Sequence, residues 1–356
     1  MKPTYDVLIL GATYGSLLAT KLLAAGHNVR LMCLPAEADI INAKGTRVWL
    51  PIKGRTEPIE IDSRTLPGKL SAEGPTGTVP GDYDLVVLAM QEPQYQAPSV
   101  RPLLEAIARA RVPCMSIMNM PPLTYLRRIA SIDVEPLKSC YTDAAVWQHF
   151  DPALMTLCSP DPQAVRPPDA ESNVLRVTLP SNFKAARFES ENHTEILRRL
   201  QTDIEAVRYK VDGQPSELPV KLKVHDSIFV PLAKWPMLLT GNYRCVQAQG
   251  PRTIREAVHT DLEESRAVYQ WVRAVCLMLG AQASDLVPFE KYAAAAQTLT
   301  RPSSVARALF AGAPNVERVD LLVKTIAAQY GLRSATVDER VATVDALVAQ
   351  NRRRVA

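Results

Sequence analysis

Residues 5–34, YDVLILGATYGSLLATKLLAAGHNVRLMCL, decide the fold. A short apolar run at 7–10 meets Gly11, where the chain must turn. Leu17, Leu18, Leu22 and Leu23 then recur at helical spacing, which predicts an amphipathic helix. After Gly26 a second apolar run follows at 29–34. Together these pieces predict a β-α-β unit that opens at residue 5. Its chemistry lies in the turn, because the free amides and the dipole at a helix start can hold a pyrophosphate. The usual fingerprint is Gly-x-Gly-x-x-Gly, whose middle glycine lets backbone touch phosphate. Here the turn reads Gly11-Ala12-Thr13-Tyr14-Gly15-Ser16, one residue short, with Thr13 at the place of the second glycine. Gly15 is read as the residue that lets the helix pack closely on the strand. The stretch predicts a Rossmann-type start with Gly11–Ser16 as the candidate dinucleotide loop. The same fold with a loop that has lost its phosphate is the alternative.

The bulk composition narrows the function. A chain of 356 residues suits two domains. Its 41 basic and 37 acidic residues leave a net charge of +4, too little to hold nucleic acid or an anionic membrane. The basic end Arg352-Arg353-Arg354 reads as a solvated terminus. Cys33, Cys114, Cys140, Cys158, Cys245 and Cys276 form no Cys-x-x-Cys pair and several sit in apolar runs, so buried thiols are expected. The sequence shows neither a signal segment nor an apolar run of about 18 residues, and a cytoplasmic, reduced protein is expected. The five histidines lack metal-ligand spacing, and no metal site is expected.

Strand signals recur at 7–10, 29–33, 85–90 and 114–118, with a helical pattern at 100–110. This alternation predicts a doubly wound, mostly parallel sheet. Segments 46–51 and 58–61 read as a β excursion. Segments 64–82 and 151–173 read as loops, and 174–179 and 187–188 as late strands. A helix at 194–207 and a connector at 211–219 follow. Beyond residue 220 only helical patterns remain, at 232–248, 253–279, 286–296, 303–309, 316–330 and 337–353. The expected architecture is an α/β Rossmann domain at 1–215 and an all-α domain at 216–356. A ligand is expected at the carboxyl ends of the strands, facing the helical domain.

Reduction of a ketone by hydride requires a proton donor for the carbonyl oxygen and groups that fix the substrate. Lys234 lies among Leu232, Trp235, Met237 and Leu238. Apolar surroundings make a charged amine readier to give up its proton. Taken alone, Lys234 also fits a side chain whose stem covers apolar surface while its head reaches water. Asn242 lies eight residues on. Eight steps of about 100° return to within roughly 80° of the start, so both could border one cleft. Glu264 belongs to an acidic stretch on the next helix, which also reads as a solvated face. Asn119 ends the strand-like run 114–118, the end where ligands bind.

The order of these pieces resembles the ketopantoate reductase (2-dehydropantoate 2-reductase) family over roughly residues 5–285. The carriers are the opening GSLLA…L…AGHNV, strand-end Asn119, the Lys-x7-Asn of Lys234 and Asn242, and Glu264 placed before Trp271 and Gly280. The resemblance implies an N-terminal Rossmann domain, a helical C-terminal domain and NADP-dependent reduction of a 2-oxo acid, with NAD as the alternative cofactor. It implies Lys234 as general acid and Glu264 as its polarising partner. Asn119 would position the lysine or the nicotinamide ribose, and Asn242 would bond the substrate oxygen. Arg252 and Thr253 stand where the family places a substrate-binding serine, and Arg252 could grip a carboxylate. Gln91 replaces a frequent lysine, Leu238 stands where a second asparagine is common, and Leu34-Pro35 stands where an arginine usually meets the 2′-phosphate. These departures point to a bulkier or differently shaped 2-oxo acid than ketopantoate.

The leading reading is therefore a nicotinamide-dependent 2-oxo acid reductase acting on a small molecule, with no nucleic-acid or membrane partner. Two others stand beside it: an opine-type dehydrogenase, and a non-catalytic nucleotide-binding homologue. A homodimer through the helical domain is a further expectation, from Val268, Trp271, Val275 and Met278 on one long helix. The same four residues also fit a single core.

Overall fold

The structure, a computed structural model, describes residues 4–355. The chain divides into two compact units. The first comprises the chain up to Met90 together with Tyr95–Met118 and Val146–Ile228. The second comprises Gln91–Gln94, Asn119–Ala145 and the chain from Phe229 onward. The division thus falls at 228/229 rather than at 215, and two short stretches of the N-terminal sequence join the second unit.

In the first unit the strands are β1 (Asp6–Leu10), β2 (Asn28–Met32), β3 (Arg47–Leu50), β4 (Ile59–Asp62), β5 (Leu70–Glu73), β6 (Leu85–Leu88) and β7 (Cys114–Ile117). They continue as β8 (Met155–Ser159), β9 (Gln163–Val165), β10 (Val174–Leu179), β11 (Phe183–Ala186), β12 (Tyr209–Val211), β13 (Gln214–Ser216) and β14 (Leu222–His225). The main sheet runs β14-β11-β8-β7-β6-β1-β2-β5. All neighbours are parallel except β8 and β11. β6 and β7 are buried at every position and β1 at all but its first, as expected for strands covered on both faces. This is the doubly wound, mostly parallel sheet that the alternation predicted.

The helix Ala12–Ala24 departs from its predicted amphipathic pattern. It packs on β1 and β2 and also touches β3 and β10 of a second sheet, ordered β4-β3-β10-β9. Nearly every residue from Gly15 to Leu23 is therefore buried, including Ser16, Thr20 and Lys21. A helix enclosed on all sides needs no polar stripe. The two hydroxyls turn back on their own helix, Ser16 Oγ to the Ala12 carbonyl at 2.5 Å and Thr20 Oγ1 to the Ser16 carbonyl at 2.8 Å.

Four strands depart from the sequence reading. β5, β8 and β9 lie inside segments read as loops, and β14 lies in the segment assigned to the helical half. The late strand expected at 187–188 lies slightly earlier, as β11. The connector at 211–219 begins as a hairpin, whose turn residues Asp212 and Gly213 have φ of 52° and 81°. That pair of positive angles is the Asp-Gly turn that matches strand twist.

The second unit is helical, with one two-stranded hairpin, Val246–Gln247 against Gly250–Pro251. Its longer helices are Leu262–Met278, Val319–Gln329 and Ala335–Val355. The predicted helix at 232–248 is instead a chain of short turns. A 3₁₀ turn (Val230–Ala233), an α turn (Lys234–Met237), a π turn (Leu238–Asn242) and a second 3₁₀ turn (Tyr243–Cys245) follow one another. Pro236 supplies no amide to a regular ladder. At Gly241 a Cβ would come within 2.0 Å of the Tyr292 hydroxyl, which itself bonds the Met237 carbonyl at 3.0 Å. The predicted helix at 253–279 breaks at Asp261, whose side chain caps Leu262–Met278 by accepting from the Glu264 amide at 2.8 Å. All six cysteines are free and buried. Among the described residues no helix is long and apolar enough to cross a membrane.

Candidate active site

Each unit carries candidate site residues of its own. In the first, β1 leads to β2 through the helix Ala12–Ala24, while β6 leads to β7 on the other side through the helix Arg101–Ala110. The chain thus changes direction between β1 and β6, and open α/β sheets bind ligands outside the carboxyl ends of strands at such a point. Gly11 lies there. Its φ is +104°, and a Cβ on it would come within 2.6 Å of Met90 Cγ and 2.7 Å of the Ala89 carbonyl oxygen. The Gly11 amide donates to the Met32 carbonyl at 2.9 Å, which ties the turn to β2. Gly15 has Ile9 Cγ2 at 2.6 Å from the place of its Cβ, so it does let the helix approach β1 closely.

The helix start has no side-chain cap and no acidic residue in its first turn. The amides of Ala12, Thr13 and Tyr14 precede the first possible intrahelical partner and so are the helix's unsatisfied donors. An anionic group such as a pyrophosphate fits this end. Thr13 is exposed. Tyr14 is held by its hydroxyl, which donates to the Pro162 carbonyl at 2.5 Å, and by an edge contact with Phe183. Ser16 is buried, with its hydroxyl on Ala12. At the end of β2, where no arginine follows in sequence, Arg166 arrives from just beyond β9 and pairs with Glu37.

The second unit holds a small cleft. Gln91, Asn119, Asn242, Ser304 and Glu317 form its polar side, and Leu238, Tyr243, Val305, Ala308 and Val316 the rest. Three of the sequence-chosen residues, Gln91, Asn119 and Asn242, therefore line one cleft. Lys234 is half-buried and stands one turn before Leu238. The π turn brings Leu238 and Asn242 to the lining together, whereas the eight-residue argument assumed one regular helix. Such turns recur at functional sites.

Lys234, Glu264, Arg252 and Thr253 do not line the cleft. Glu264 pairs with the buried Arg244. Arg252 Nε donates to the Arg244 carbonyl at 2.9 Å. Thr253 caps the helix Ile254–His259 in a reciprocal box with Glu256.

Sequence reasoning missed Glu317, Ser304 and Glu92. Glu317 is 8% exposed. It accepts from Asn119 Nδ2 at 3.3 Å and from the Glu92 amide at 3.4 Å. Burial, with the neighbouring Glu92 charge adding to it, pushes its carboxyl up to about 7 against the donors that oppose this. Tyr243 staples its backbone: the hydroxyl donates to the Glu317 carbonyl at 2.5 Å and accepts from the Val319 amide at 2.9 Å. Ser303 caps the helix Ser304–Phe310 and bonds the Asn242 carbonyl at 2.7 Å. Asn119 Oδ1 is buried without a protein partner. In sequence, Glu317 looked like an ordinary charged residue. The apolar run that starts two residues later, at Val319, marks a helix start and not the burial of Glu317.

No protein-family sequence model and no curated protein sequence matches the chain. Solved structures do match, over nearly full length. A 2-dehydropantoate 2-reductase from Methylococcus capsulatus superposes with a TM-score of 0.66 at 14% identity, covering 97% of both chains. A ketopantoate reductase from Ralstonia eutropha JMP134 gives 0.62 at 15% identity, covering 98% of this chain and 99% of that one. D-mandelate dehydrogenase, solved with NADH and anilino(oxo)acetate, gives 0.63 at 13% identity with the same coverage. The chain has the fold of the ketopantoate reductases. The Rossmann unit followed by helices is that arrangement.

Proposed function

We propose that the protein is a nicotinamide-dependent reductase that converts a 2-oxo acid to the 2-hydroxy acid. The observation that carries this reading is the cleft of the second unit, where Gln91, Asn119, Asn242, Ser304 and Glu317 converge and Asn119 Oδ1 lacks a partner. The residues Gly11–Ser16 would hold the cofactor's pyrophosphate, with the amides of Ala12, Thr13 and Tyr14 as donors. The cofactor, when bound, supplies a hydride for the substrate's C2. Lys234 is assigned the proton that goes to the carbonyl oxygen, and its positive charge favours both an anionic substrate and the developing alkoxide.

Glu317 takes the role that the resemblance gave to Glu264, because Glu317 lines the cleft and Glu264 is engaged by Arg244. Asn119 holds Glu317 through Nδ2 and offers Oδ1 to a ligand donor. Asn242 faces the substrate oxygen. Leu238, Val305, Ala308 and Val316 suit an apolar substituent on the 2-oxo acid. The aryl 2-oxo acid analogue found in D-mandelate dehydrogenase supports a substrate of that kind. NADP is the cofactor assigned, with Arg166 as the cation for its 2′-phosphate.

The test is oxidation of NADPH and NADH across a panel of 2-oxo acids, for the wild type and Lys234→Ala. Turnover by the wild type and a loss of about 10²–10⁴-fold in kcat for the variant are expected. Undiminished turnover by Lys234→Ala removes the lysine from the mechanism.

A further inference from the structure

The second unit holds another pocket besides the cleft. Arg244, Asp320, Thr336 and Arg340 are its polar members, and Tyr243 is the residue it shares with the cleft. Arg244 is 3% exposed. Thr336 and Arg340 are half-buried, so the pocket reaches solvent on their side.

Three arginines meet here from separate elements. Arg244 lies in the 3₁₀ turn Tyr243–Cys245, Arg252 just after the hairpin, and Arg340 on the helix Ala335–Val355. Backbone carbonyls hold two of them in place. Arg252 Nε donates to the Arg244 carbonyl at 2.9 Å, and Arg340 Nη1 donates to the Val246 carbonyl at 2.7 Å. The Gln247 amide also lies 3.2 Å from Arg252. Burial is the main cause that lowers Arg252 and Arg340, and the Arg244 charge adds to it in both.

Carboxylates do not cancel this charge. Glu264 pairs with Arg244. Asp320, the acid in the lining, is held by both arms of Arg318, at 3.0 and 3.1 Å. Glu256 and Glu339 are exposed, and Glu256 is spent on the Thr253 cap. The contacts of Arg252 and Arg340 are with neutral groups. Arg340 Nε is buried with no partner. A buried donor on a charged group is costly to leave unsatisfied, and native structures seldom keep one.

We propose that this pocket binds a phosphate-like dianion, held by Arg340 with Arg244 and Arg252 beside it. Two guanidinium groups without carboxylate partners match two negative charges, and their planar forks match the spacing of phosphate oxygens. The Thr336 hydroxyl is a neutral donor in the same lining. The recognised chemistry is a phosphoryl group, free or carried on a larger molecule. The site stands independently of the reaction proposed above.

Calorimetric titration of the whole protein with inorganic phosphate tests this, at about pH 8, where phosphate is a dianion, and at constant ionic strength in chloride. The wild type is expected to bind with a Kd of about 1 mM or tighter. Arg340→Met and Arg252→Met should each weaken binding about tenfold or more, and either decides if the other fails to fold. Glu264→Gln removes the carboxylate paired within the cluster and should tighten binding about threefold. Structural damage does not produce such a gain, so this variant isolates the charge argument. Arg353→Met, at the exposed end of the same helix, should bind like the wild type. Methyl phosphate identifies the source: binding of both ligands assigns a phosphoryl group on a larger molecule, and binding of inorganic phosphate alone assigns the free anion. Four results overturn the proposal: no binding by the wild type at about 10 mM phosphate, wild-type affinity in both Arg340→Met and Arg252→Met, no tightening in Glu264→Gln, or an equal loss in Arg353→Met.

Discussion

Replacing Lys21 by methionine isolates the cost of enclosing an amine between two sheets. Lys21 is 3% exposed, and its Nζ donates to the Pro219 carbonyl at 2.6 Å. Burial is the main cause that lowers it from 10.5 to about 7, with the nearby Lys221 charge adding to the effect. A lysine held below its unfolded value binds its proton less readily folded than unfolded. Between about pH 7 and 10.5 the unfolded chain carries the extra proton, so this group's contribution to stability rises with pH across that window. Its penalty is full below about pH 7 and is gone above 10.5.

The two values give a penalty of about 4 kcal/mol at pH 7, falling by about 2 kcal/mol by about pH 8.5. Methionine keeps the stem and loses the charge. Urea unfolding of both proteins at these two pH values should show Lys21→Met gaining least at the higher pH. The difference between the two proteins should shrink by about 2 kcal/mol. Taking that difference cancels the buried cysteines and tyrosines, which titrate in both. A stability difference independent of pH refutes the argument, because it would mean that Lys21 stays protonated in the folded chain throughout.

Other substitutions probe the rest of the site. Gly11→Ala puts a Cβ within 2.7 Å of the Ala89 carbonyl oxygen at a φ of +104°, and a loss of about 1–3 kcal/mol in thermal unfolding, with weakened NADPH binding by fluorescence, is expected. Binding and melting like the wild type would refute the tight turn. Arg166→Ala should weaken NADPH about 10–100-fold while sparing NADH, since a charged hydrogen bond contributes about 1.5–3 kcal/mol. Equal loss for both cofactors separates Arg166 from the 2′-phosphate. Glu264→Gln leaves Arg244, whose side chain is 3% exposed, without its carboxylate, and a stability loss of about 1–2 kcal/mol is expected after discounting for the 42% exposure of Glu264. An unchanged melting temperature rules out a stabilising pair.

What the sequence made legible depended on whether a signal was local. The strands β1, β2, β6 and β7 are apolar runs bounded by turns, and their parallel order follows from the helices between them. β8 is as deeply buried, yet its five residues MTLCS sit among prolines and aspartates whose turn signals outweigh so short a run. β5 reads LSAE and takes its place from pairing with β2 rather than from its own composition. The same distinction governs the site. Gly11, Asn119 and Asn242 stand at positions that local pattern can locate: a strand-to-helix turn, a strand end and a helix next to a lysine. Glu317 and Glu92 lie far apart in the chain, at 317 and 92, and nothing near either marks it as buried. Glu264 was the more conspicuous acid because it sits in a long helix, but its first-turn position and its pairing with Arg244 are structural uses of charge at a helix start. A carboxyl group becomes chemically distinct when folding removes its water, and that loss is set by contacts between distant segments. Burial, which separates Glu317 from Glu264, is the property that one-dimensional spacing does not carry.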